Sequence, residues 1–523
     1  KITDVKVKRA KESEFATPAI QEIAKKVVAT QSLDVDGISG ASLTSEGTKE
    51  AIEEAVKKSG ITLTTVTVQN VRTVEFPKET DVVVIGAGGA GLTSAIAAHE
   101  KGAKVILIEK TELLGGNTNY ATAGLNAAGT KIQEKLGVKD SPELFYEDTM
   151  KGGKNKNNKE LVRVLVNNSS AIVDWLIERG ADLSELTSTG GQSAKRTHRP
   201  TGGTAVGPNI VAALSKTAEN EKIDIRKGTK AIALVKTKNR IVGVKVREID
   251  GKEYTIKAKA VIVATGGFGA NAKMVEKYNP KLKGFGSTNS PAIVGDGIIM
   301  VEKVGGALVD MSEIQTHPTV VYNKTNMITE AVRGEGAILV NKDGKRFIDE
   351  LETRDVVSKA ILSQKGKSAF LIFDEDIRTK LKAADGYVKK GFAVEGTLEE
   401  IAAKIGTDAK TLEATLNKYN EAVRDKVDSE FNKKTLPKEL TGTKYYAIEV
   451  SPAVHHTMGG VRINTNAEVL GKNGRPIKGL YAAGEVTGGI HGANRIGGNA
   501  VADITIFGKI AGENAATYSK SVK

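Results

Sequence analysis

The chain has 523 residues, of which 40% are hydrophobic and 56 are glycine, a length that allows two or three domains. It contains no cysteine, which excludes thiolate metal sites, Fe–S clusters, c-type haem attachment and disulfides within these residues. The formal net charge is +13, but aromatic residues make up only 4%, and no stretch mixes basic and aromatic side chains as a nucleic-acid groove does. We interpret the charge as a lysine-rich surface, with a weak field for anionic substrates as the alternative, and we expect no nucleic-acid partner.

Two further classes are disfavoured by simple patterns. No apolar run reaches the roughly 18 residues that a transmembrane helix needs, so we expect no membrane-spanning segment. The six histidines lack the spacing of metal ligands, so we expect no metal. The chain opens in an alternating pattern typical of a strand already under way, which indicates a missing N-terminus. Absence of cysteine favours export, so we expect an extracytoplasmic protein (periplasm or cell surface), with the cytoplasm as the alternative.

The first 60 residues have the pattern of a small α/β module. An alternating strand over 2–8 is followed by a helix over 18–29, with Pro18 at its first position, and by a second helix over 45–59. Residues 61–79 are polar and rich in Thr and Val, which predicts a linker.

A dinucleotide-binding pattern begins at residue 80. A continuous apolar run over 81–85 predicts a parallel strand buried on both faces, and Gly86-Ala-Gly-Gly-Ala-Gly91 follows it directly. An apolar helix over 92–100 and a second strand over 104–108 come next, and that strand ends in Glu109. Because the glycine motif stands between a strand and a helix, it predicts a nucleotide site far more specifically than the motif alone.

Each residue of this pattern has a physical role. Gly86 permits the tight turn, Gly88 lets backbone approach a pyrophosphate, and Gly91 lets the helix pack close to the strand. The helix N-terminus offers free N–H groups to phosphate, and Glu109 can accept hydrogen bonds from ribose hydroxyls.

Later motifs favour FAD over NAD and divide the chain. A glycine loop, Gly115-Gly-Asn-Thr118, follows Glu109, and two further glycine motifs stand at 264–267 and 479–485, a combination that recurs in FAD enzymes. Strands are predicted over 232–246 and 254–264, whereas 315–450 is mixed and includes a helix over 410–425. We predict an α/β fold in which a Rossmann-like FAD-binding domain (80–314 and 452–523) is interrupted by an α+β capping domain (315–451).

Eight stretches together resemble the soluble bacterial fumarate reductases of the flavocytochrome c type and the related urocanate reductases. They occur in that family's order, at 115–118, 198–203, 295–297, 317–319, 329–334, 353–355, 455–460 and 491–499. The resemblance implies that the capping domain closes over the substrate as a clamp. It also implies the FAD-binding residues, namely Gly86, Gly88, Ala90, Gly91, Glu109, Gly116, Asn117, Thr118, Asp296, His456, Glu485, Ala500 and Val501. Residues 115–126 contain no histidine that could attach the flavin, so FAD is expected to be non-covalent.

The same resemblance implies the chemistry. Arg495 and His455 are expected to hold one carboxylate of fumarate, with His317, Thr329 and Glu330 near the other. Hydride from FAD N5 then leaves negative charge on the substrate, and Arg354 is expected to deliver the proton, resupplied by a relay of Glu330 and Arg333. One alternative is a reductase of another enoate (urocanate, acrylate, methacrylate or cinnamate). The other is a flavin-binding electron carrier without substrate turnover, which would have no use for a proton relay.

The N-terminal module carries a second flavin motif. Asp36-Gly-Ile-Ser-Gly-Ala-Ser42-Leu-Thr-Ser45 resembles the flavinylation motif of FMN-carrying domains, in which a dedicated flavin transferase attaches FMN through a phosphodiester bond. The resemblance implies covalent FMN on Ser42, with electrons passed on from an unidentified upstream donor. The alternative is an N-capping Ser/Thr turn before the helix at 45.

Overall fold

The computed structural model describes residues 2–8, 17–38, 41–60, 63, 78–238 and 240–522. Most of the predicted linker (61–79) lies outside the described residues. Three separate hydrophobic cores are present among the described residues, one in the N-terminal module, one around a large mixed sheet with a parallel centre and one around a smaller antiparallel sheet. No helix among the described residues combines the length and the apolarity that crossing a membrane requires.

The N-terminal module consists of two helices, α1 (Thr17–Thr30) and α2 (Ser42–Ser59). The strand predicted over 2–8 is wrong: the backbone of Ile2 is paired with the side-chain amide of Gln31, at 2.7 and 2.8 Å, and not with a neighbouring strand. Helix α2 begins before the predicted residue 45, because Ser45 N already donates an intrahelical hydrogen bond to Ala41 O at 2.9 Å. The buried Ser45 Oγ accepts from Ile38 N (2.8 Å) and also donates to Ala41 O (2.9 Å).

The first part of the FAD-binding region contains ten strands and eight helices. The strands are β1 (Glu79–Ile85), β2 (Val105–Glu109), β3 (Leu125–Asn126), β4 (Glu185–Thr187), β5 (Thr197–Arg199), β6 (Asp224–Lys227), β7 (Thr229–Lys236), β8 (Ile241–Glu248), β9 (Glu253–Val263) and β10 (Leu308–Val309). The helices are α3 (Gly89–Glu100), α4 (Lys131–Lys135), α5 (Pro142–Gly152), α6 (Lys159–Asn167), α7 (Ser169–Glu178), α8 (Val206–Asn220), α9 (Ala272–Tyr278) and α10 (Asp296–Lys303).

The remaining elements follow in chain order. The next strands are β11 (Ile314–Val321), β12 (Ile338–Val340), β13 (Ala369–Asp374), β14 (Val394–Gly396) and β15 (Tyr445–Thr457), with helices α11 (Glu330–Gly334), α12 (Arg354–Leu362), α13 (Glu375–Lys380), α14 (Lys382–Lys389), α15 (Leu398–Ile405) and α16 (Ala409–Asp425). The chain ends with β16 (Gly460–Arg462), β17 (Glu468–Leu470), β18 (Pro476–Ala482), β19 (Thr487–Gly488) and α17 (Asn499–Ser521).

An eight-stranded sheet organises the large core. Its order is β17-β18-β9-β1-β2-β6, with β8 joined to β9 and β7 to β8. Strand β1 lies parallel to β2 and β9, so that Val83 stands beside Ile106 and Val261. These strands are continuously apolar because helices cover the sheet, among them α3 and the C-terminal α17, which pack closely on each other.

A second, antiparallel sheet interrupts this region. Its order is β11-β15-β13-β12, with β14 also paired to β15, and its core runs from Val321 to Val450. This insertion confirms the predicted fold class, a Rossmann-like α/β domain interrupted by an α+β unit. The residue limits 80–314, 315–451 and 452–523 stay predictions. Strand β15 runs without a break across the second boundary, so no change of secondary structure marks it.

Candidate active site

A long cleft of about 1030 Å³ opens at the carboxyl ends of β1 and β2. Such an edge of a parallel sheet is where nucleotides bind in folds of this kind. Nine of the predicted FAD-binding residues line it, namely Gly86, Gly88, Ala90, Glu109, Gly116, Asn117, Thr118, Asp296 and Glu485. Four predicted residues (Gly91, His456, Ala500 and Val501) do not line this cleft.

Two glycines explain how the loop after β1 can pass so close to the sheet. Gly86 has a φ of +98°, and a Cβ there would lie 2.6 Å from the carbonyl oxygen of Ala264. A Cβ on Gly91 would lie 1.7 Å from the carbonyl oxygen of Gly86, which no side chain tolerates. Gly91 therefore serves the packing of α3 and does not itself face the cleft.

The polar groups of this cleft are held in place. Glu109 accepts from Ala87 N at 2.8 Å through one oxygen and from Thr111 N at 2.9 Å through the other. Asp296 pairs with Lys110 at 2.6 Å. A glycine backbone at a helix N-terminus, a fixed carboxylate after the second strand and a neighbouring lysine fit the phosphates and ribose of a dinucleotide.

A second cleft of about 750 Å³ continues from the first. The two share Asn117, Thr118, Tyr120, Glu485 and Ile504 as lining residues. The second cleft brings together six predicted residues from distant parts of the chain, Arg354, His455, His456, Arg495, Ala500 and Val501. Ala500 and Val501 belong to the first turn of α17, whose N–H groups can face negative charge at this point.

Two guanidinium groups meet at a residue that the sequence analysis missed. Gln315 Oε1 accepts from Arg495 Nη2 at 3.0 Å and from Arg354 Nη1 at 3.4 Å. Its amide nitrogen donates to the carbonyl of Arg495 at 2.8 Å. The only signal for Gln315 in the sequence was its position two residues before His317. A neutral amide side chain carries no charge or motif that would mark it as a site residue.

Arg354 is also held by a carboxylate. Its Nη2 and Nε lie 3.3 and 3.4 Å from Glu330 Oε2. Burial raises the pKa of Glu330, but the guanidiniums of Arg354 and Arg333 prevail and hold that pKa below its usual value. Thr329 caps the short helix α11, its Oγ1 accepting from Ala331 N at 3.5 Å.

Arg333 completes the predicted relay only in part. It is fully buried, and its Nη1 donates to the carbonyl oxygen of Glu350. Its Nε and Nη2 have no hydrogen-bond partner in the described part of the chain, so the link between Arg333 and Glu330 is not a direct hydrogen bond. Burial lowers the pKa of Arg333 below that of an ordinary arginine.

The histidines form two pairs. The rings of His317 and His455 are 5.2 Å apart, and His455 Nδ1 lies 2.7 Å from Thr288 Oγ1, a second contact that the sequence analysis missed. The ring of His456 instead lies 5.4 Å from that of His491, so the adjacent His455 and His456 contact different neighbours, as expected for extended backbone.

Burial and neighbouring positive charge keep His317 and His455 uncharged. Burial, and next the charge of Arg354, depress the pKa of His317 and His455 far below the usual range. Burial beside Arg354 also lowers the pKa of Arg495 to about 9, whereas burial raises that of Glu485. The site therefore offers positive charge from arginines only, with neutral imidazoles around it. The described residues contain no cluster of His, Asp and Glu able to hold a metal ion.

Ser42 is the first residue of α2. The residue at the N-cap position of this helix is Ala41, whose side chain makes no capping hydrogen bond, so the alternative interpretation of the motif as a Ser/Thr cap stays untested. The placement of the Ser42 side chain lies outside the described residues, and its role as an FMN attachment site stays a prediction.

Two family comparisons cover most of the chain. Residues 81–501 match the family described as FAD binding domain, and residues 1–57 match that described as FMN-binding domain. The chain is 46% identical over 509 residues to a protein of Klebsiella pneumoniae (strain 342) named NADH:fumarate oxidoreductase, an alignment that covers 97% of this chain and 55% of that protein. It thus spans little more than half of that relative.

Two further relatives lack this difference in length. A fumarate reductase (cytochrome) of Shewanella frigidimarina is 51% identical over 442 residues, which cover 84% of this chain and 77% of the relative. A solved structure, the open conformation of a flavocytochrome c3 fumarate reductase, superposes with a TM-score of 0.75 at 42% identity, over 90% of this chain and 81% of the other.

Proposed function

This chain belongs to the FAD binding domain family, and we propose that it reduces fumarate to succinate with FAD as a non-covalent cofactor. The observation that carries the proposal is the convergence of Arg354 and Arg495 on Gln315, beside two neutral histidines, at the second cleft, which continues from the dinucleotide cleft. Two buried cations in one small cleft suit a substrate with two carboxylates. The activities named for the relatives from Klebsiella pneumoniae and Shewanella frigidimarina support the same substrate.

The cofactor fits the first cleft and its junction with the second. The loop and helix start at 86–91, Glu109, Asn117, Thr118 and Asp296 hold the dinucleotide. Glu485 lines both clefts, and His456, Ala500 and Val501 line the second. FAD, when bound, supplies the hydride that adds to one alkene carbon of the substrate.

The chain's own residues orient the substrate and stabilise charge. Arg495 and His455 hold one carboxylate, and His317 and Thr329 lie toward the other. A neutral imidazole can donate one hydrogen bond without adding a positive charge. The histidines therefore select the shape of the substrate, while the arginines attract its carboxylates. Because these donors are buried and already in position, they can stabilise the negative charge that develops on the substrate without reorganising.

The proton comes from Arg354. His317 and His455 are poor candidates, because their depressed pKa leaves them without a second proton near neutral pH. Glu330 contacts Arg354 directly and is ionised beside two guanidiniums, so it can return a proton to Arg354 after taking one from Arg333. The second transfer requires Arg333 and Glu330 to move into hydrogen-bond contact, because they share no direct hydrogen bond in this structure. Arg333 acts as the inner end of this relay.

Electrons arrive through the N-terminal module. The chain has an FMN-binding domain, and we propose that FMN is attached to Ser42 by a flavin transferase. The module contacts the rim of the FAD cleft, where Leu113 packs against its core and Lys26 lies 3.5 Å from Glu112, which supports a role as an electron inlet. An exported location and a separate electron donor belong to the same proposal.

A substrate panel tests the function. The holoenzyme is mixed with reduced methyl viologen, and the oxidation of the dye is followed with fumarate, urocanate, acrylate, methacrylate and cinnamate in parallel. We expect the highest kcat/KM for fumarate, because it alone presents carboxylates to both ends of the cleft. A higher value for another enoate would replace the substrate assignment, and no turnover with any of them would favour an electron carrier.

A further inference from the structure

The end of α5 and the loop that follows it, residues 150–158, are hydrogen-bonded to the segment that leads into Arg495. Four hydrogen bonds join them, from Asn158 N to Gly489 O (2.7 Å), Asn157 Nδ2 to Ile490 O (2.9 Å), Ala493 N to Gly153 O (3.0 Å) and Asn494 Nδ2 to Gly152 O (3.3 Å). This loop and Arg495 therefore keep one relative position.

Lys154 is presented outward from this loop by an unusual backbone. Lys154 and Asn155 both have a φ of +57°, a conformation that residues with a Cβ rarely adopt. The hydrogen bonds of the loop hold this conformation, with Lys154 N donating to Lys151 O at 3.0 Å and Asn155 N to Met150 O at 2.8 Å. The ammonium group of Lys154 then reaches Asp355 Oδ2 at 2.6 Å.

Asp355 belongs to the other side of the cleft. It is the second residue of α12, directly after Arg354, and α12 packs into the antiparallel-sheet core through Val357 and Ile361. Asp355 also accepts from Thr353 Oγ1 at 2.7 Å. Of the ion pairs formed by the described residues, Lys154–Asp355 is the one that joins 80–314 or 452–523 to 315–451.

We propose that the Lys154–Asp355 ion pair positions Arg354 relative to Arg495 for proton delivery. The two guanidiniums repel each other, yet both must lie at Gln315 Oε1. The Lys154–Asp355 ion pair lies one residue from Arg354, and the loop that carries Lys154 is hydrogen-bonded to the segment of Arg495. The pair therefore fixes the distance between the two guanidiniums from outside the cleft. Lys154 and Asp355 are positioning residues, and the inference rests on the proposed function, in which Arg354 delivers the proton.

The test compares Lys154→Ala with Lys156→Ala. Lys156 lies in the same loop and makes a similar pair with Glu313 at 2.8 Å, but both partners belong to 80–314; the two lysine side chains are 55% and 60% exposed. With saturating fumarate and reduced methyl viologen, we expect Lys154→Ala to lower kcat about two- to fivefold, the range of an exposed ion pair. Lys156→Ala should stay within about 1.5-fold of the parent, as surface substitutions usually do.

Three further readouts separate positioning from general damage. The solvent deuterium isotope effect on kcat should increase in Lys154→Ala, because a misplaced Arg354 makes proton delivery slower, while KM, FAD content and Tm match those of Lys156→Ala. Lys154→Arg should restore kcat. Asp355→Asn should lower kcat as much as Lys154→Ala does. The double variant should have a kcat no lower than either single variant, since all three lose the same interaction.

The outcomes distinguish the two proposals. If the parent does not turn over fumarate, the proposed function fails before the ion pair is tested. If the parent is active but Lys154→Ala and Lys156→Ala have the same kcat and isotope effect, or if the Lys154→Ala and Asp355→Asn effects simply add, the positioning role is wrong.

Discussion

At the level of single residues, burial and neighbouring charge decide which of the groups around Gln315 are charged. Arg354 and Arg495 contribute guanidiniums that share Gln315, while His317 and His455 stand beside them uncharged. Each imidazole would be the ordinary proton donor of an enzyme at neutral pH, but here the neighbouring arginine charge and the loss of water oppose a second proton. In the proposed mechanism these histidines therefore bind and orient the substrate, and the proton comes from another group.

Arg354→Lys tests whether that source is Arg354. If Arg354 delivers the proton, the shorter, differently placed ammonium cannot reach the substrate carbon, and kcat should fall at least about 10²-fold. FAD content should be unchanged, because Arg354 lies outside the dinucleotide cleft. Steady-state kinetics with reduced methyl viologen measure the effect, and Arg247→Lys, at an exposed position of strand β8, is the control. A kcat within about threefold of the parent, with only KM raised, would show that Arg354 binds carboxylate and does not act as the acid.

His317 should make stability depend on pH in a defined direction. In the unfolded chain a histidine takes up a proton near pH 6.5, whereas the pKa of buried His317 in the folded protein lies well below that. Below about pH 6.5 the unfolded state therefore binds more protons, and stability is lost as pH falls, by up to about 1.4 kcal/mol per pH unit for this group.

The Tm of the holoprotein at pH 7.5 and at pH 5.5 measures this dependence. His317→Gln removes the titrating group, so the drop in Tm on acidification should be smaller in the variant than in the parent. Equal drops in the two proteins would contradict a neutral, buried His317.

At the level of elements, close packing of helices brings the dinucleotide loop into place. Helix α3 is buried along most of its length between the sheet and α17. Glycines permit the contact on both sides: a Cβ on Gly91 would lie 1.7 Å from Gly86 O, and one on Gly512 would lie 2.4 Å from Ser94 O. The position of the α3 N-terminus thus depends on the absence of a side chain at Gly91 and at Gly512. The backbone N–H groups that face the cleft depend on it in the same way.

Gly91→Ala should disrupt the loop and its cofactor. The added methyl group meets backbone that cannot move independently of β1, so we expect lower FAD occupancy and a loss of stability of at least about 1–3 kcal/mol, the cost of overpacking. FAD per polypeptide, from absorbance after release, and Tm measure the two effects. Gly386→Ala, in helix α14 with open space around it, is the matched control and should be neutral or slightly stabilising. Full FAD occupancy in Gly91→Ala would show that the loop does not depend on this contact.

The elements that were predicted well are those with strong local patterns. Strand β1, helix α3 and strand β2 were expected within two or three residues of their observed limits, because an apolar run, a glycine motif and a second run follow each other directly. The expected strand at 2–8 is wrong, since its alternating pattern was not matched by a partner among the described residues and the side chain of Gln31 bonds its backbone instead.

At the level of the whole molecule, two flavins are expected, each bound to a region with its own hydrophobic core. The FMN-binding match covers residues 1–57 and the FAD-binding match covers 81–501. They meet at a small described contact that involves Lys26, Glu112 and Leu113. Such a contact suits a module that delivers electrons and does not itself build the substrate cleft.

Acid precipitation of the holoenzyme, made together with its flavin transferase, should separate the two flavins. FAD is expected in the supernatant, because residues 115–126 contain no histidine to hold it covalently. FMN should stay with the protein, and the tryptic peptide that spans Ser42 should carry the mass of FMN less water.

Ser42→Ala is the control for this experiment. It should lose FMN but keep FAD and turnover driven by reduced methyl viologen, since the dye can reduce FAD directly. FAD that stays with the precipitate would contradict non-covalent binding. Loss of viologen-driven turnover in Ser42→Ala would contradict the module's role as an electron inlet.

The dinucleotide cleft was already readable from the order of residues along the chain. Gly86, Gly88 and Glu109 lie within one strand–helix–strand unit, so their mutual placement follows from local geometry. The roles of His317, Arg354 and Arg495 were reached by resemblance to a family, and nothing in their spacing alone predicts that they meet.

Other features of the site became visible only in the folded chain. Gln315 contacts Arg495 across 180 positions, Thr288 contacts His455 across 167, and Lys154 contacts Asp355 across 201. No periodicity connects such residues, because their proximity depends on how two separate cores pack against each other. The pKa of His317 and that of His455 likewise depend on burial and on arginines brought from other elements, which are properties of the packed molecule and not of any segment.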